Sequence, residues 1–113
     1  MSKCHHVPLQ SAYRALSDPT RREILRILRD GGRPAGDIAA HLEAPTSAVG
    51  RHLGLLTAAG LVRTHEGTYV LRTSVLADVV LELAELADIG TDVTREDLIE
   101  PIEVRRSPYP QVP

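Results

Sequence analysis

Cys4, His5 and His6 place a thiol and two imidazoles at three consecutive positions. Once deprotonated, such groups are ligands suited to nickel, zinc or copper. Adjacent residues cannot close a site alone. Asp78, Glu82 or Glu85 would supply oxygens, and so mixed a donor set suits nickel better than a tetrahedral structural zinc. The competing reading is a terminal segment that carries histidines to no purpose. Arg51 offers a second chemistry. It stands in "TSAVGRHLGLLTAAGLV", residues 46–62, between Gly50 and Gly54. Each glycine costs roughly 1 kcal/mol against alanine in a helix interior, and a surface so stripped lets something come close to the backbone. One candidate is another helix. The other is a nucleic-acid groove, with Arg51 reaching a phosphate or a guanine edge. Cys4 and the five histidines form no nucleophile–base pair on regular elements, and no glycine loop would cradle a phosphate. Catalysis is therefore not expected.

These groups need a scaffold. At 100° per residue, Val49, Leu53 and Leu56 share one face of the 46–62 segment, and Ser47, Gly50, Arg51, Gly54 and Ala58 share the opposite one. Upstream, Pro8 to Leu16 forms a short first helix. "SDPTRREILRILRDGG" forms a second, capped by Asp18, with Pro19 at its first position and Gly31-Gly32 as its stop. Ile24, Leu25 and Leu28 make its inner face, with Ile27 at the border; Arg22, Arg26 and Arg29 line a solvated outer face. "RPAGDIAAHLEAP" is a short helix around Ile38, Ala39 and Leu42, closed by Pro45, and Thr46 is the expected cap of the next. A short helix, a tight turn and a longer helix make a helix-turn-helix. Gly60 ends it, and "LVRTHEGTYVLRT" follows as a hairpin turning at Glu66-Gly67. That hairpin is a wing, decorated by Arg63, His65 and Arg72. Residues 74–89 form a last helix. Its charges, Asp78, Glu82, Glu85 and Asp88, keep to a narrow stripe, so it is apolar too far round for a monomer surface. Val79, Leu83 and Leu86, away from the acids, are expected to meet the same helix of a second copy.

The expected fold is mainly α with a small β-hairpin wing, a winged helix-turn-helix of about five helices. A flexible arm spans residues 1–8, the DNA-binding and dimerisation domain 9–89, and a disordered tail 90–113, with one weak helical turn near Thr94–Ile99. A chain of 113 residues without Trp or Phe has an aliphatic core of modest size, a shortage that dimerisation relieves. The single cysteine excludes an internal disulfide and points to the cytoplasm. No stretch reaches membrane-spanning length, and no apolar segment of signal-peptide length opens the chain. The net charge of −2 hides an asymmetry. Residues 1–73 hold ten Lys/Arg against six Asp/Glu, and residues 74–113 three against nine. The basic half contains the stripped helix, and local charge governs attraction to phosphate.

"ALSDPTRREILRIL", "GDIAAHL", "AVGRHLGLLTAAGLV" and "EGTYVLRT" together resemble the ArsR/SmtB family of bacterial winged-helix transcriptional regulators over residues 12 to about 89. The resemblance implies a homodimer built on the first and last helices, a palindromic double-stranded operator, and repression released by an inducer, often a metal ion. Pro45 and Gly50 replace serines frequent in the family, which puts more of the recognition on Thr46, Ser47 and Arg51. His52 matches the family's histidine before leucine; it lies at the rim of the core or contacts DNA. Pro34 and Gly36 stand where thiolate sensors have cysteines, and no histidine follows His65, so neither usual metal site is present. Nickel or zinc at Cys4, His5 and His6 remains the metal expectation, beside a metal-independent autorepressor and a protein-binding winged helix. Loss of DNA binding with rising salt separates a DNA-binding role from the last of these.

Overall fold

The computed structural model describes residues 9–90. The Cys4-His5-His6 group, the arm over 1–8 and the chain beyond Gly90, with its expected helical turn, lie outside the described residues.

Among the described residues, five helices and three short strands follow one another: α1 (Gln10–Leu16), α2 (Pro19–Leu28), β1 (Arg33–Pro34), α3 (Ala35–Leu42), α4 (Thr46–Ala58), β2 (Val62–His65), β3 (Thr68–Leu71) and α5 (Thr73–Leu86). The mainly helical winged-helix architecture agrees with the sequence reading. α2 begins where its cap directs. Asp18 is extended, and its Oδ1 accepts from the N–H of Thr20 at 2.7 Å and of Arg21 at 3.2 Å, with Pro19 next in the chain. Desolvation acts to raise the Asp18 carboxyl, but the N–H bonds from Arg21 and Thr20 and the Arg21 charge outweigh it and hold the group below its ordinary value. The cap of α4 differs from expectation. Pro45 holds the cap position and makes no side-chain bond, while Thr46 is the first helical residue and exposed. The N–H of Ala48 and of Val49 reach the Pro45 carbonyl at 3.1 Å, so the proline closes the turn through its backbone.

β1 is an element the sequence did not announce. Arg33 pairs with Tyr69 and Pro34 with Thr68, which makes β3 the centre of an antiparallel sheet of order β1-β3-β2. Gly32 permits the approach. A Cβ there would lie 2.9 Å from Thr68 Cγ2 and 3.1 Å from the Tyr69 carbonyl oxygen. The β2–β3 hairpin turns at Glu66 and Gly67, both with positive φ (52° and 81°), the pairing of a type I′ turn that suits a two-residue hairpin.

Ile24, Leu28, Ile38, Val49, Leu53, Leu56, Leu61 and Val62 are almost fully buried and form an aliphatic core between the helices and the base of the wing. α5 uses its apolar surface in two ways. Its first half packs inward through Thr73, Ala77 and Val79, and its second half exposes Val80, Leu83 and Leu86. Val79, at 3 % exposure, is therefore core of its own subunit and not part of a free face with Leu83 (49 %) and Leu86 (75 %). The three share a side of the helix, but only the first lies over the domain. Where α5 crosses α1, the Tyr13 hydroxyl donates to Glu82 Oε1. That bond, then desolvation and the carboxylate charge, raises the pKa of the phenol.

Candidate nucleic-acid interface

α4 follows α3 after a tight turn through Glu43, which adopts a left-handed conformation with φ 54°. Val49, Leu53 and Leu56 seat α4 on the core, which fixes what faces outward. Thr46, Ser47, Gly50, Arg51 and Gly54 are all exposed. A Cβ added at Gly50 or Gly54 would meet no atom within 4 Å, so no described part of the subunit packs on this face. The alternative of an intramolecular helix contact therefore falls away. Among the described residues, Arg51 has no hydrogen-bond or ion-pair partner. A long cation on an unencumbered face between two residues without side chains is suited to entering a groove and engaging a phosphate or a base edge.

The wing carries a smaller basic set. Arg63 and His65 alternate on β2, so their side chains leave the same face of the hairpin. His65 is exposed near the turn, with Nε2 3.8 Å from the Glu66 carboxylate. Arg63 is half-buried. Arg72 is exposed, but it sits beyond the Val62–Leu71 pair at the base of the wing, where its N–H donates to the Leu61 carbonyl at 2.9 Å. It is therefore a junction residue rather than a wing-tip cation.

His52 is half-buried, and its Nδ1 lies 3.3 Å from Arg21 Nη1. Arginine has only donors, so the imidazole accepts at Nδ1. The structural side of the two roles left open for His52 thus has a named partner. That partner is the residue sequence reasoning missed. Arg21 also donates from Nε to the Ala15 carbonyl at 2.8 Å and from Nη2 to the Arg14 carbonyl at 3.3 Å. It ties the end of α1 to the middle of α4. A signal was present, because Arg21 falls on the same helical face as Ile24, Leu25 and Leu28.

No three His, Cys, Asp or Glu side chains gather as metal ligands among the described residues. Pro34 and Gly36 offer no side-chain donors, and Glu82 is engaged by Tyr13. The described residues do not fit a metal centre. No described helix is long and apolar enough to cross a membrane.

Residues 16–65 match a helix-turn-helix domain family. The transcriptional repressor SdpR of Bacillus subtilis (strain 168) is 37 % identical over 76 residues, which cover 64 % of this chain and 84 % of SdpR. An ArsR-like transcriptional regulator from Rhodococcus sp. RHA1 superposes with a TM-score of 0.62 at 31 % identity, over 71 % of this chain and 79 % of that one. The NMR structure of the cadmium metal-sensor CMTR from Mycobacterium tuberculosis superposes with a TM-score of 0.53 at 42 % identity, over 76 % of this chain and 95 % of that one. With a helix-turn-helix, a hairpin wing and an open outer face of α4 already in place, the chain belongs to the ArsR family of winged-helix DNA-binding transcriptional regulators.

Proposed function

We propose that the protein is a dimeric repressor whose two α4 helices enter successive major grooves of a palindromic operator. Arg51 makes the principal contact, Thr46 and Ser47 add hydroxyl contacts, and Arg63 and His65 approach the flanking backbone from the wing. The observation that carries this reading is the open face of α4, where, among the described residues, nothing lies above Gly50 and Gly54 and Arg51 has no partner. Likeness to a protein named as a repressor supports the direction of regulation. The test is a mobility shift on operator fragments selected from genomic DNA, at two salt concentrations. Binding falls steeply with salt as phosphate contacts release counterions. Arg51→Ala weakens binding by about 1–3 kcal/mol if its contact is to a base, with an unchanged melting temperature. Operator affinity equal to wild type would remove Arg51 from the interface.

A metal response is a separate reading. Its support is the Cys4-His5-His6 sequence and the likeness to a cadmium sensor. Calorimetric titration with nickel and zinc is expected to show binding by the intact protein and none by a variant starting at Pro8. Equal binding by both moves the site off these residues. No binding by either leaves a metal-independent repressor.

A further inference from the structure

Between α1, the start of α2 and the C-terminal half of α4 lies a cavity of about 250 Å³. Ser11, Arg14 and Arg21 line one side of it, and Leu55, Ala58 and Ala59 the other. Its two ionisable groups are both guanidiniums, and no acidic side chain is among the residues lining it. The two arginines differ. Arg21 is held in place by the Ala15 and Arg14 carbonyls and by His52. The Arg14 side chain is exposed and has no hydrogen-bond or ion-pair partner among the described residues. Opposite it, Leu55 stands 48 % exposed, a large apolar side chain left uncovered on a helix whose other leucines at positions 53 and 56 are fully buried.

We propose that this cavity binds a small amphipathic monocarboxylate. Its carboxylate is held by the Arg14 guanidinium and the Ser11 hydroxyl, in the positive potential of Arg21, and its carbon tail lies against Leu55, Ala58 and Ala59. The chemistry selects on both ends. An amine is repelled by two guanidiniums, and a neutral amide forgoes the charge-assisted bonds. An inorganic anion leaves the apolar wall in water. The volume falls short of the ~300–1,000 Å³ of drug-sized pockets, so the tail is a single ring or a short chain. The site rests on its own geometry and needs neither an operator nor the repressor reading.

The test is calorimetric titration of the full chain, without DNA, using benzoate and hexanoate as probes and benzamide, benzylamine and inorganic phosphate as controls. Both carboxylates bind, and the controls bind at least about tenfold more weakly, the loss of a charge-assisted contact. Arg14→Gln reproduces that loss. Ala58→Leu fills the cavity and abolishes binding. Arg14 and Ala58 are both exposed, so both variants fold, which circular dichroism verifies. Absence of carboxylate binding at millimolar concentration overturns the proposal. So does benzamide or phosphate binding as well as benzoate, and so does carboxylate binding that survives either substitution. Binding that appears only when the protein is diluted to monomers assigns the cavity to a second copy of the chain and likewise overturns it.

Discussion

Arg21 and Arg51 are the same residue type used in opposite ways. Arg21 has 12 % of its side chain exposed and spends its donors on two carbonyls of α1 and on His52 of α4. Arg51 is exposed, with its donors uncommitted among the described residues. Their substitutions should therefore separate stability from binding. Arg21→Ala leaves the Ala15 carbonyl and an imidazole nitrogen without the Arg21 donor, while the Arg14 carbonyl keeps its bonds from Ser17, and it lowers stability by about 1–3 kcal/mol. Arg21→Lys recovers only part of it, because one ammonium cannot span three acceptors. Urea denaturation of both variants is the check, and an alanine variant as stable as wild type would show that the α1–α4 tie is slack. Both roles were within reach of the sequence. Spacing from Ile24, Leu25 and Leu28 places Arg21 inward, and spacing from Val49, Leu53 and Leu56 places Arg51 outward. What the sequence withheld is the identity of the acceptors, because Ala15 and His52 lie on other elements.

On α4 the glycines set a conflict between stability and function that can be measured. Gly54 is helical, exposed and open above its Cα. Gly54→Ala should raise folding stability by about 0.5–1 kcal/mol, and it should weaken operator binding because the added methyl holds the helix away from the groove. A stabilised variant with undiminished affinity would mean that DNA approaches elsewhere on α4. Other elements show where pattern reading stops. β1 has two residues, Arg33 and Pro34, too few to display alternation, and only the crowding around Gly32 betrays the strand that docks there. The start of α4 at Pro45–Thr46 lies one residue from the sequence expectation, because a threonine at the first helical position reads in sequence like a cap. The hairpin was legible to the residue, since Glu66-Gly67 between two β-rich runs carries its own turn chemistry.

At the scale of the whole molecule, the decisive feature is that α5 is half inside and half outside its subunit. The helical wheel groups Val79, Leu83 and Leu86 on one side, and it cannot say how far along the axis the domain extends. On that side of α5 the structure places the limit between Val79, at 3 % exposure, and Leu83, at 49 %. Val80, Leu83, Leu86 and Ile89 leave a row of large apolar side chains in solvent, a surface that dimerisation would cover in a chain with so small a core. The two halves should then fail differently. Val79→Glu puts an unpaired charge in the core and prevents folding. Leu83→Glu combined with Leu86→Glu touches only exposed positions, so each subunit stays folded while the pair of like-charged faces repels. Sedimentation should then report a folded monomer. Operator affinity should drop about a thousandfold, toward the non-specific level, because one half-site rarely suffices. The two losses must appear together over the same range of protein concentration. A double variant that remains dimeric would place the interface away from α5, and a folded monomer that still binds the full operator with native affinity would break the link between dimerisation and recognition.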